Sequence, residues 1–117
     1  MSIAPVEVFA ALGDPTRQEL LSLLGRQQAS TAAALAAPLA VTRQAVEKHL
    51  RVLDRAGLVD SRHVGRRVHY VVRPEALRRS ADWLTEVAAG WDRQLAMVKV
   101  AAEQAEQADQ AEQPPHG

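Results

Sequence analysis

Apolar residues recur along most of the chain at helical spacing, and one short stretch alternates instead. Val6, Phe9 and Ala10 stand at i, i+3 and i+4 and predict a first helix over about 5–12, with Pro5 in its first turn and Gly13 at its end. Asp14-Pro15 is a restart signal, an N-cap acceptor followed by a proline whose missing N–H costs nothing there. Leu20, Leu21, Leu23 and Leu24 follow in a nearly all-apolar run closed by Gly25, the mark of a central core helix. Residues 27–31 read as a loop. Ser30 or Thr31 caps a short helix to about Ala37, and Pro38 is expected to stop it. Thr42 caps a helix over 42–56, ended by Gly57.

The period then changes. Leu58–Val64 and Arg67–Arg73 are β-rich runs joined by Gly65-Arg66, which predicts a tight hairpin. Pro74 starts a last helix, in which Leu77, Ala81, Leu84, Ala88, Trp91, Leu95 and Val98 are spaced alternately by four and three. That is an apolar seam at the coiled-coil period, about 33 Å long if fully helical. The order of elements is that of a winged helix-turn-helix: a mainly α fold with one small β-hairpin. The domain is expected over 1–100. Residues 101–117 form a low-complexity tail, read as either a helical extension or disordered, in which Pro114-Pro115 ends any helix.

Helix 42–56 has the two faces that a DNA-reading helix needs. Val46, Leu50 and Leu53 are placed for the core, while Arg43, Glu47 and Arg51 form an outward row flanked by Gln44, Lys48 and Arg55. The major groove of B-DNA, about 12 Å wide, admits one such helix. Arg43 suits guanine O6/N7 and Gln44 suits adenine N6/N7; Lys48, Arg51 and Arg55 suit phosphates, and Thr42 sits at the capped end. Glu47 has two readings. It accepts from a cytosine amino group, or it holds Arg43 or Arg51 by i, i+4 pairing, and the second is favoured. In the wing 58–73, Arg66 and Arg67 at the tip suit the flanking minor groove or its phosphates, with Arg62, His63 and Arg73 adding positive charge.

Charge appears at first to contradict this. The chain of 117 residues carries 14 Lys+Arg and 14 Asp+Glu, a formal net of zero, whereas nucleic-acid-binding domains are usually basic. By region the zero dissolves. Residues 41–79 carry ten cations against four acids, a net of +6, and residues 80–117 carry two against seven, a net of −5. The remaining composition mostly excludes. With no cysteine, disulfides and thiolate metal sites are ruled out. No apolar run is long enough for a membrane helix, and the first residues lack the pattern of a secretory signal, so a cytoplasmic protein with no membrane partner is expected. Aromatics, at 3% of residues, are too few for a base-stacking platform. A glycine-rich phosphate loop and a Ser–His–acid set are both missing, which argues against an enzyme.

The segments LGDPTRQELLSLL at 12–24, VTRQAVEKHLRVLDRAGLV at 41–59 and GRRVHYVV at 65–72 resemble the ArsR/SmtB family of bacterial winged-helix repressors. The likeness implies a homodimer on an inverted-repeat DNA operator that blocks transcription. It also implies dimerisation through the N- and C-terminal helices, here Val6, Phe9, Leu77, Leu84, Ala88, Trp91, Leu95 and Val98, in agreement with the independent seam. Three features depart from the family. The short helix lacks the cysteines with which many members sense metals; residues 75–100 hold Asp82 and Asp92 but no histidine; and Glu47 stands where serine is common. No metal and no cofactor is therefore expected. With Trp83 and Trp91 the last helix is similar to a cysteine-free branch often encoded beside START-like proteins, and an unidentified small-molecule effector stays open.

Several residues keep two readings. His49 either touches a phosphate or hydrogen-bonds within the domain. Arg17 either meets phosphate or pairs with an acid, pairing being the plainer choice. His63 and His69 fall on opposite sides of a hairpin with a two-residue turn, which argues against a zinc pair. Trp91 either lines a small-molecule pocket or, as its place on the seam favours, is buried at an interface. The alternative to DNA binding is a winged-helix module whose basic face serves protein interaction.

Overall fold

Local chemistry at the helix ends explains most of the architecture. The structure is a computed structural model that describes residues 5–27 and 29–112. Its elements are α1 (Val6–Leu12), α2 (Pro15–Arg26), α3 (Ala32–Leu39), α4 (Arg43–Arg55), β1 (Val59–Val64), β2 (Arg67–Val72) and α5 (Pro74–Glu112). Asp14 caps α2 by accepting from Arg17 N–H at 3.0 Å, and Pro15 occupies the first turn. Thr31 Oγ1 accepts from Ala34 N–H at the start of α3, and Thr42 Oγ1 from Ala45 N–H at the start of α4. Each of these bonds satisfies an N–H that the first helical turn leaves without an intrahelical partner.

The end of α4 is equally well defined. Gly57 adopts φ +77°, its N–H bonds the Asp54 carbonyl, and Leu58 N–H bonds the Leu53 carbonyl, both at 2.9 Å. This is a Schellman closure, which requires a left-handed residue at that point. The chain turns there directly into β1.

One expectation is corrected at α3. Pro38 does not stop the helix at Ala37; the helix continues through it to Leu39 and closes at Ala40, in the left-handed region at φ 54°. The proline removes a single N–H, in a turn that is already ending, so the loss stays local.

Residues up to Trp83 pack as one compact unit. Its core joins Val8 and Ala11 of α1, Leu20 and Leu24 of α2, Leu35 of α3, Val46, Leu50 and Leu53 of α4, and Leu58 and Val59 at the entry to the hairpin. On α1 the core face is thus Val8 and Ala11, while Val6 is 68% exposed and Phe9 half-buried against Trp83, their ring centroids 5.5 Å apart. The hairpin is antiparallel, with Arg62 opposite His69 and His63 opposite Val68. Successive residues point to opposite faces, so the two imidazoles lie on opposite sides, as the two-residue turn predicts. A contact absent from the sequence reading anchors the ribbon's base. Ser30, expected in a loop, exchanges two backbone hydrogen bonds with Tyr70 at 3.2 and 2.8 Å and forms an isolated bridge.

Residues from Leu84 on form a second unit, the remainder of α5. The helix continues through the Ala/Glu/Gln-rich stretch to Glu112; Pro114, Pro115 and His116 lie outside the described residues. Ala, Glu and Gln are all strong helix formers.

Candidate nucleic-acid interface

Helix α4 is fixed from behind. Val46, Leu50 and Leu53 have 0% exposure, and this apolar stripe locks α4 in rotation about its axis. At about 100° per residue, the opposite side carries Gln44, Lys48 and Arg51, with Glu47 on its flank; Arg43 stands in the first turn, about 60° from Val46, and all are exposed except Glu47, which is half-buried. Arg43 Nε donates to Glu47 Oε1 at 2.9 Å, the i, i+4 pairing favoured from sequence. The bond uses the guanidinium's inner nitrogen and leaves both terminal nitrogens free.

The wing supplies the second set of cations. Gly65 at φ +63° takes the first central position of the turn, and Arg66 at the second has no positive φ, the pattern of a type II′ turn. Both Arg66 and Arg67 are exposed. Between the start of α3, the first half of α4 and the wing lies an open groove of about 520 Å³, lined by Thr31, Arg43, Glu47, Arg66, Arg67 and Tyr70 among others. Three arginines and one glutamate thus line the same groove. Among the described residues no ion pair engages Lys48, Arg51, Arg66 or Arg67. Arg62 differs, with Nη2 lying 3.5 Å from Asp60 Oδ2.

Thr31, expected only as a helix cap, and Tyr70 are not placed at this groove by the sequence. They enter the groove because the Ser30–Tyr70 bridge draws the start of α3 against the wing. No local pattern signals a pairing between segments so far apart.

His49 is placed differently from the Arg43 row. Two positions after Glu47, it is turned about 200° around the helix toward α1 and α2. There its Nδ1 lies 3.2 Å from Arg17 Nη1 and 3.9 Å from Asp14 Oδ2. Of the two readings of His49, the structure displays the hydrogen bond within the domain.

Among the described residues no carboxylate lies within ion-pair distance of the Arg17 guanidinium. It donates from Nε to the Ala11 carbonyl at 2.6 Å and from Nη2 to the Ala10 carbonyl at 3.3 Å, closing the end of α1. A cation at the negative end of a helix satisfies carbonyls that the last turn leaves open. The Asp14 carboxyl is held below its ordinary pKa, first by the backbone N–H of Arg17; desolvation opposes this, and the Arg17 and His49 side chains beside it add smaller lowering contributions.

The residues expected at an interface between copies fall into two groups. In the first unit Val6 is exposed, Phe9 meets Trp83 and Leu77 packs against the core. In the second, Leu84, Trp91, Leu95 and Val98 are 50%, 64%, 61% and 63% exposed, and Ala88 is exposed with them. Trp91, with Val87, Gly90 and Gln94, lines only a shallow, open recess. Among the described residues no group of three or more His, Asp or Glu side chains is placed to hold a metal ion, and no helix is long and apolar enough to cross a membrane.

Comparison with known proteins bears on the same surfaces. A profile for the helix-turn-helix domain matches residues 12–62, from the end of α1 into β1. The transcriptional repressor SmtB homolog of Synechocystis sp. is 45% identical over 84 residues, covering 68% of this chain and 63% of its own length. The chain therefore spans somewhat less than two thirds of that relative. Among solved structures, an ArsR-like transcriptional regulator from Rhodococcus sp. RHA1 superposes with a TM-score of 0.76 at 45% identity, covering 84% of this chain and 92% of the other. The homodimeric winged helix-turn-helix DNA-binding domain of a possible ArsR-family regulator from Mycobacterium bovis superposes at 0.59 with 27% identity, over 73% and 77% of the two chains. With its tandem helices, its two-stranded wing and this degree of likeness, the chain belongs to the ArsR/SmtB family of winged helix-turn-helix transcriptional regulators.

Proposed function

We propose that the protein is a cytoplasmic, homodimeric repressor that binds an inverted-repeat DNA operator, with α4 in the major groove and the wing on the flanking groove. The observation that carries this reading is the exposed basic surface of α4 and the wing tip: Arg43, Lys48, Arg51, Arg66 and Arg67 on two adjoining elements, backed by a fully buried stripe. Phosphate contacts from Lys48, Arg51 and the wing set register, and the start of α4, with Arg43 and Gln44, reads base edges. A two-fold dimer presents two such helices to half-sites about 34–36 Å apart. The exposed seam of α5 supports the dimer, as does the homodimeric M. bovis domain. Thiolate metal sensing has no ligand in a chain without cysteine.

Selection of binding sites from a randomised duplex library, followed by gel-shift titration at several salt concentrations, tests the reading. The expected result is a palindromic site whose log affinity falls linearly with log salt. Arg43→Ala is expected to cost about 1–3 kcal/mol on that site and to relax preference at one position per half-site. No enrichment and no salt-dependent binding would favour the protein-interaction module instead.

A further inference from the structure

The groove between α4 and the wing contains one residue that a polyanion-binding surface should not need. Glu47 stands on the outward row of the recognition helix, its side chain only 34% exposed, among Arg43, Arg66 and Arg67. A carboxylate there repels any phosphate that approaches, so on affinity alone it is a liability. It is also bonded to the side chain best placed to read a base, at 2.9 Å from Arg43 Nε.

We infer that Glu47 is a specificity-determining residue, acting by positioning Arg43 and by keeping phosphate out of the groove; the inference rests on the DNA-binding reading above. With Nε occupied, Arg43 has its two terminal nitrogens to offer, which permits an end-on bidentate approach to guanine O6 and N7 and disfavours a side-on grip on a phosphate through Nε. Arg43 is 68% exposed, so without this bond its long side chain is free to sample both uses. The negative charge acts separately. In registers where α4 meets only backbone, Glu47 opposes the phosphate that three neighbouring guanidinium groups would otherwise attract. Discrimination is a difference between two affinities, and weakening the wrong complex raises it as surely as strengthening the right one.

Two substitutions separate these effects. Glu47→Gln keeps an oxygen that accepts from Arg43 Nε but removes the charge; Glu47→Ala removes both. Each is measured against wild type on the selected site, on all single-base variants of that site and on a mixed-sequence duplex, over a range of salt. Glu47→Ala is expected to bind the mixed duplex more tightly, to steepen the log–log salt slope by about one as Arg43 turns to phosphate, and to lose about fivefold or more of its discrimination at the Arg43 base pair. Glu47→Gln is expected to gain mixed-duplex affinity while retaining most of that discrimination. Thermal unfolding midpoints of both should match wild type, because the pair lies on the surface. If Glu47→Ala keeps operator-to-mixed ratios and base preferences within twofold of wild type, the inference is overturned. A wild type without any preferred site would instead sink the DNA-binding reading itself.

Discussion

α5 is one helix with two different fates. Its first turns bury Ala76 and Ser80 and press Leu77 against the core, while from Leu84 onward its large apolar side chains stand 37–67% exposed. The apolar spacing is continuous across that change. Periodicity therefore reports that a face seeks burial, and it does not report what will cover it. Before Leu84 the cover is the same chain; after it, a second copy is the cover that the proposed dimer supplies.

Truncation on the two sides of the division is the most direct way to break the comparison. Leu50→Ala, at 0% exposure, is expected to lower unfolding stability by about 2–5 kcal/mol. Leu95→Ala, at 61% exposure, should change the stability of an isolated chain by about 0.5 kcal/mol or less. Urea unfolding at low protein concentration checks both, and equal losses would mean that the seam is intramolecular core.

Leu84→Glu sharpens the same contrast from the other side. It places like charges on both copies of the seam, and dimer dissociation by about tenfold or more is expected in sedimentation equilibrium. The helical signal at α5 should persist. A variant that stays dimeric at the wild-type dissociation constant would remove the exposed seam from the interface.

The smallest expected effect lies at the junction of α1 and α2. Because the Asp14 carboxyl titrates lower when folded than when unfolded, its contribution is fully present above the ordinary carboxylate range and is lost as pH falls through the depressed value. Asp14→Asn should therefore show a flatter decline of melting temperature on acidification, with little difference near neutrality. A wild-type-like acid slope in the variant would show that the cap does not couple to folding.

Much of the fold was legible because its determinants are local. Asp14-Pro15, Thr31, Thr42 and Gly57 mark helix ends through bonds spanning only a few residues, and the two-residue turn dictates the hairpin register. The Arg43–Glu47 pair was legible for the same reason, since i and i+4 share a helix face. What escaped depends on distant segments. Arg17 closes α1 and meets His49 only because three elements converge, and the core face of α1 became Val8 and Ala11 only when α2 and α4 were packed against it. Pro38 does not stop α3, because the hydrogen bond it removes lies in the helix's last turn, where the loss is tolerated.

The bridge between Ser30 and Tyr70 also has a consequence for the order of folding. It joins positions forty residues apart, whereas the turn at Gly65-Arg66 joins neighbours. The near contact closes at small entropic cost, and the remote one must wait until the intervening helices have found each other. The ribbon thus acquires its outer rungs early and its anchored base late. On warming, the sequence runs in reverse, and amide exchange should open at Ser30 and Tyr70 before the helices release their buried leucines.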